Sequence, residues 1–459
     1  MMPFPKTLKV LNDISPSFCA AKWYKASIWL GNGKTASCHH PLAHKIPLEE
    51  LKNNPSALHN TQFKKERRAE MLAGIRPDEC SYCWVVEDAA AGNPVYSDRV
   101  HKSGIYTEKQ IKDIVDLDVN ENIDPLELEI CFDSLCNLNC SYCNSQFSST
   151  WTNDIAKNGP YENMITGGGR TYSNTLEQIK EWTTAADDET GQNPYIKAFF
   201  TWFHESLKNN LRELRVSGGE PSRSPWFWKL LDECEDPKFN FAVNSNLIMD
   251  LSRLEKLEKA AKKFKKFEIY TSAECFGKHQ EFVRHNFKWD TWVHNLRWLA
   301  DKNINGNIHI MMTISALSVW SVDEFLNFIC NLRKEYPNSK NIFHMSVNIL
   351  RFPSFQSVNN IPLSYKLILA ESIQSSIEKN STLMSYFEIN QFERLVLYLR
   401  EVETSYEDKD GIQNKLQDFH NFILQYSQRN NMDIVDYMPE NFINWWKEIC
   451  TLNSKEEQK

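Results

Sequence analysis

The chain has 459 residues, 41% hydrophobic and 24% charged, the composition of a globular protein with room for two or three domains. Its net charge of -8 argues against a protein that mainly binds phosphate backbones, so nucleic acid is not an expected partner. The first residues lack an apolar run of signal-peptide length, and no stretch approaches the roughly 18 apolar residues of a membrane helix, so the expected setting is the reducing cytoplasm, where close-spaced cysteines read as metal ligands or catalysts before disulfides.

Residues 1–100 read as loop-rich. One helix is expected over 58–73, "LHNTQFKKERRAEMLA", stopped by "GIRPDE". The block holds Cys19, Cys38, Cys80 and Cys83, and the hairpin-like "WLGNGKTASC" would place Cys38 on a returning strand. Four cysteines in a small block of poor hydrophobic content suit a closed tetrathiolate site, either structural zinc or an iron–sulfur cluster. His39 and His40 flank Cys38 as donors to its sulfur or as ligands. They are left out of the set because four thiolates already complete it.

A second block begins near 124. "LELEICFD" (126–133) reads as a buried strand, followed at once by "CNLNCSYC" with Cys136, Cys140 and Cys143. After an insertion at 150–210, elements alternate: strand 213–219, helix 226–236, strand 240–246, helix 251–266, strand 267–274, helix 289–302, strand 307–315, helix 322–336 and strand 342–350. Six strands with helices between them predict an α/β fold with a parallel sheet or partial barrel. Residues 360–459 read as helical, with a frayed tail "TLNSKEEQK". The insertion carries "TGGGR" (166–170) and "DDETGQNP" (187–194). The glycine triple lacks the setting of a phosphate cradle and reads as a flexible loop. The lysines of 256–266 read as a solvated helix face. Trp226, Trp228, Trp289, Trp292 and Trp298 read as core before cavity lining.

Loops at the carboxyl ends of strands build the active sites of α/β folds. Three thiolates from one tight loop can hold three corners of a cubane iron–sulfur cluster and leave one iron open to a small molecule. Zinc, with Cys131 or a distant histidine as fourth ligand, is the competing reading. At the end of the next strand stands "SGGEP". There Gly218 and Gly219 allow close backbone approach to a ligand, and Glu220 offers a carboxylate to an ammonium group. Cys131, Cys234, Cys275, Cys330 and Cys450 read as small hydrophobes.

Cys136, Cys140, Tyr142 and Cys143 resemble the CxxxCxΦC motif of the radical S-adenosylmethionine (SAM) superfamily, and Gly218, Gly219, Glu220 and Pro221 resemble its GGE motif. The resemblance covers 124–355 and implies a partial (β/α)6 TIM-like barrel. It also implies a 4Fe-4S cluster whose open iron is chelated by the amino and carboxyl groups of SAM. The GGE segment would hold the amino group, and Tyr142 would lie against adenine. The implied chemistry is reductive cleavage of SAM to a 5′-deoxyadenosyl radical, which takes hydrogen from a substrate. Asn244 ends the third strand, and Ser272 resembles the family's SAM-binding serine. Arg284 is expected to pair with the SAM carboxylate, the alternative being a surface ion pair with Glu281.

The N-terminal set resembles the twitch, or half-SPASM, auxiliary-cluster domain: Cys19, then Gly33, then Cys38, then Cys80 and Cys83 as CxxC. That domain usually follows the barrel and here precedes it. The resemblance implies a second, four-cysteine 4Fe-4S cluster. The expected organisation is a twitch domain at 1–110, a core at 124–355 and a helical region at 360–459. A peptide or protein is the first expected substrate. A small polyol, sugar or nucleotide is the second, and a non-catalytic zinc or iron–sulfur protein is the remaining reading. Flavodoxin or ferredoxin is the expected reducing partner.

Overall fold

The computed structural model describes residues 1–89, 95–183, 192–302, 304–337, 343–401 and 411–456. Residues 187–191 of "DDETGQNP", Ile342 of the last expected strand and 457–459 of the tail lie outside them. In chain order the strands are β1 (Lys25–Trp29), β2 (Lys34–Ala36), β3 (His44–Lys45), β4 (Glu127–Cys131), β5 (Asn139–Cys140), β6 (Glu213–Ser217), β7 (Asn240–Ser245), β8 (Phe267–Ser272), β9 (Arg284–His285), β10 (Ile308–Ile314) and β11 (Phe343–Ile349). Two compact units contain them. One is Met1–Asp133, Thr184–Ser217 and Glu235–Phe241; the other is Ser134–Thr183, Gly218–Cys234 and Ala242–Lys459.

In the first unit β4 runs parallel to β6, with Ile130 opposite Val216, and parallel to β1, with Ile28 opposite Ile130. β1 turns back antiparallel into β2, and β2 into β3. Alternation sorts the faces: Ala26, Ile28, Leu128, Ile130, Leu214 and Val216 are buried, while Lys25 pairs with Glu127 at 3.2 Å on the other face. The expected hairpin forms, but its return strand ends at Ala36 and Cys38 lies just beyond it. The N-terminal block is less loop-rich and more apolar than expected. A helix spans Phe4–Ile14, and Val10, Leu11, Phe18, Trp23, Met71 and Trp84 belong to one buried cluster. The expected 58–73 helix starts later, at Gln62, where Thr61 accepts from Lys64 N as an N-cap.

In the second unit β7, β8, β10 and β11 lie side by side, with β10 parallel to both β8 and β11. Helices Leu251–Ala261, Trp289–Asp301 and Val322–Glu335 fall between them in sequence. Ile308, Ile310, Met312 and Ile314 are buried. On the opposite face Tyr270, His309 and His344 stack in register, with ring centroids 4.4 and 5.2 Å apart. Leu254, Leu257 and Ala261 pack inward as the pattern required, whereas Leu251 at the helix start is exposed. The lysine run behaves as a solvated face, with Lys256 on Asp232 and Lys262 on Glu258. Trp292 is core, but Trp226 is partly exposed.

The C-terminal region is helical, with helices Leu363–Asn380, Tyr386–Arg400, Ile412–Asn430 and Glu440–Glu456. The "TGGGR" stretch is not a free loop. Gly167–Arg170 forms one helical turn capped by Thr166, and buried Asp418 accepts from Ile165 N at 2.6 Å and Thr166 N at 2.8 Å. A Cβ on Gly169 would fall 2.2 Å from Asp418 Oδ2, so the glycine makes room for that carboxylate. Among the described residues no helix is long and apolar enough to cross a membrane.

Candidate functional site

The loop from Ser134 to Asn144 is held mainly by its carbonyls. Leu138 O accepts from Ser148 Oγ at 3.2 Å and from Thr150, and Asn139 O accepts from Tyr426 OH at 2.5 Å. Cys140 O accepts from Trp151 Nε1 at 3.0 Å, and Ser141 O accepts from Tyr172 OH at 3.1 Å and Gln356 Nε2 at 2.8 Å. Four successive carbonyls therefore accept from side-chain donors, which satisfies a buried backbone whose strand pairing is limited to the two residues opposite β9. Tyr426 and Gln356 lie 287 and 215 residues from their partners, and nothing in the sequence marks them.

The loop brings Cys136, Cys140 and Cys143 close enough to act on one another electrostatically. Burial pushes the Cys140 thiol up to about 12, opposed by Arg284. It also raises Cys136, opposed by the Leu138 N–H, which donates to its sulfur at 3.4 Å. Cys143 is raised by the same cause.

Gly219 packs directly on this loop. A Cβ there would lie 2.4 Å from Leu135 O and 2.7 Å from the Ser134 carbonyl. Its missing side chain thus serves contact between two protein segments, and not only approach to a ligand. Gly218 has φ +127°, a conformation that favours glycine. Glu220 N donates to Leu135 O at 2.6 Å, and Pro221 starts the short turn Pro221–Arg223. The Glu220 carboxylate is buried. It accepts from Ser222 N at 3.1 Å, Ser245 Oγ at 2.8 Å and Asn246 N at 2.6 Å. Burial raises its pKa, and these donors oppose the rise. Asn246 also donates to Asn137 at 2.8 Å, tying the end of β7 to the cysteine loop. Asn244 Oδ1 is buried with no hydrogen-bond partner among the described residues. Ser272 is the last residue of β8.

Arg284 is not a surface residue, and it does not pair with Glu281. β9 pairs antiparallel with β5 so that Arg284 stands opposite Cys140. Its Nε and Nη2 donate to Glu274, each at 3.0 Å, and its Nη1 donates to Cys140 Sγ at 3.5 Å. Tyr142 OH donates to the same Glu274 at 3.1 Å, and the guanidinium lies 5.2 Å from the Tyr142 ring centroid. Burial opposes the arginine's charge, and Glu274 outweighs it.

Cys19, Cys38, Cys80 and Cys83 line one cavity of the first unit, together with Lys22, Arg99 and Lys102. Burial pushes Cys80 up to about 12 and Cys83 up to about 11. Lys22 and Arg99 are buried. Lys22 pairs with Glu79, and Arg99 pairs with Glu87 at 2.9 Å. Such cations suit an anionic occupant. Gly33, between Cys19 and Cys38, has φ +66°, and a Cβ there would strike the Tyr195 ring at 2.2 Å. On the cavity wall, His40 pairs with Asp98 at 2.5 Å and stacks on Tyr82 at 3.7 Å.

The donors of both sets are thiols, which suit zinc and iron–sulfur clusters alike. Four zinc–sulfur bonds of about 2.3 Å hold their sulfurs roughly 3.8 Å apart. Among the described residues, neither cysteine set gathers three sulfurs within 4.8 Å of one another. The unpartnered Asn244 oxygen near the end of β7 is a place for a polar ligand group.

Residues 132–329 match the family described as the Radical SAM superfamily. No curated protein matches the chain. Among solved structures, Streptococcus suis SuiB bound to S-adenosylmethionine is similar, at 16% identity, covering 77% of this chain and 68% of that one, with a TM-score of 0.36. SuiB bound to precursor peptide SuiA is similar at 14% identity, covering 78% and 70%, with a TM-score of 0.35. A third is anSMEcpe with bound AdoMet and Cp18Cys peptide, at 12% identity, covering 57% and 64%, with a TM-score of 0.30.

Proposed function

We propose that the chain is a radical SAM enzyme that modifies a peptide or protein. Cys136, Cys140 and Cys143 would hold the 4Fe-4S cluster that binds SAM. Cys19, Cys38, Cys80 and Cys83 would hold a second 4Fe-4S cluster in a twitch-like domain at 1–110, ahead of a core at 124–355 and a helical region at 360–459. The observation that carries this reading is the interlock of the two motifs: the Gly219–Glu220 turn packs on Leu135, one residue before the first cysteine of the trio.

When bound, cluster and SAM supply a 5′-deoxyadenosyl radical able to take an unactivated hydrogen from substrate. The protein's residues orient and shield. Gly218, Gly219, Glu220 and Pro221 present the edge that would meet the SAM amino group. Asn244 and Ser272 stand at neighbouring strand ends, and Tyr142 offers the aromatic ring of the motif. Lys22 and Arg99 offset the negative charge of a four-thiolate cluster, which lowers the cost of burying it. The twitch-like spacing is what supports a peptide or protein substrate. Flavodoxin or ferredoxin would supply the electron.

The test is anaerobic reconstitution, addition of SAM and dithionite, and quantification of 5′-deoxyadenosine against a variant with Cys136, Cys140 and Cys143 changed to alanine. Deoxyadenosine from the wild type alone supports the reading. Zinc in place of iron at both sites sinks it. Analysis of the products labelled from substrate mixtures separates a peptide from a small polyol, sugar or nucleotide.

A further inference from the structure

Arg284 places a cation against a sulfur of the 136–143 trio, its Nη1 lying 3.5 Å from Cys140 Sγ. Its other donors, Nε and Nη2, are committed to Glu274, so the fork is fixed at both ends. The β5–β9 ladder sets the backbone distance, and Tyr142 secures Glu274 from the other side. Glu274 is fully buried and Arg284 nearly so, which leaves water little part in screening the arrangement. The carboxylate lies behind the guanidinium as seen from the sulfur. The pair therefore turns its positive end toward Cys140.

We propose that Arg284 is a positioning residue for the cluster: its hydrogen bond to Cys140 Sγ, aimed by Glu274, raises the potential at which the cluster accepts an electron. The proposal rests on the reading of Cys136, Cys140 and Cys143 as cluster ligands. Reduction adds one negative charge to the cluster, and a donor held at a ligand sulfur favours the more negative state. Hydrogen bonds to sulfur are an established lever on such potentials. Arg284 is thereby distinguished from a simple SAM anchor, because its effect is present before SAM binds.

The experiment is a potentiometric titration of the reconstituted protein without SAM, followed by EPR. The relevant signal is the one missing from the variant that lacks all three cysteines. Arg284→Lys, Arg284→Met and the double change Arg284→Met with Glu274→Gln are compared with wild type. At a fixed potential, Arg284→Met should show a reduced-to-oxidised ratio at least tenfold lower, a shift of about 59 mV for one electron. Arg284→Lys, which keeps a cation, should fall between. An unchanged midpoint in Arg284→Met, with weaker SAM binding, would make Arg284 a SAM anchor and overturn the proposal. If Arg284→Met loads no iron because Glu274 is left unpaired, the double variant decides. A wild-type midpoint there, or failure to load iron there as well, also overturns it. If wild type itself forms no such cluster, the underlying reading fails instead.

Discussion

At the residue scale, the glycines of both cysteine motifs are required by protein contacts the sequence does not display. Gly219→Ala would press a methyl group into the Ser134–Leu135 backbone. We expect it to lose roughly 3 kcal/mol, the upper end of ordinary substitutions, and, on the proposed reading, to lose iron from the 136–143 loop while the second site stays loaded. Iron per chain and thermal melting of the same sample check this. Glu268 makes a pH prediction. Burial favours its neutral form, but hydrogen bonds from His309, Lys266 and Asn307 N prevail and hold it down at about 2. Its folded pKa lies below the ordinary 4.5, so its stabilisation is present above that pH and fades as pH falls toward 2. Glu268→Gln should lose roughly 1 kcal/mol at pH 7, allowing for solvent screening, and little at pH 2. Urea midpoints across that range would show the two proteins converging.

At the element scale, the helix Ile412–Asn430 braces both the "TGGGR" turn and the cysteine loop through Asp418 and Tyr426. Asp418→Ala strands the N–H groups of Ile165 and Thr166, so about 3 kcal/mol of stability should be lost, visible as a lower denaturant midpoint with an unchanged slope. The strand–helix alternation was legible because periods of 2 and 3.6 survive in local sequence. The start of the first expected helix was misplaced, at 58 rather than Gln62, although its cap Thr61 is local. The pairing of β1 beside β4 was not legible, since 102 residues separate Lys25 from its partner Glu127. The glycine triple was misread for a like reason: the carboxylate that orders it lies 252 residues away. Cysteines announce themselves because ligand spacing is local. The tyrosine and glutamine that hold their loop do not.

At the scale of the whole molecule, long-range buried pairs close the second unit. Arg333, from the helix between β10 and β11, meets Glu388 at the start of the helix Tyr386–Arg400, and both are buried. Glu388 also accepts from Met345 N at 2.7 Å. Glu388→Ala leaves the guanidinium uncompensated and should cost about 3–5 kcal/mol, enough to lower the melting temperature sharply. Glu388→Gln should recover part of that loss.

The clamp on Asn139 O has a consequence for biosynthesis. Tyr426 leaves the ribosome 287 residues after Asn139, a delay of roughly 15–60 s at 5–20 residues per second. During that interval the thiols exist but their loop lacks its last brace. On the proposed reading, metal loading would be a late event, suited to a finished chain handed to an iron–sulfur donor rather than to a growing one. Pulse-labelled nascent chains stalled before residue 412 should retain no iron in this loop, however much donor is present.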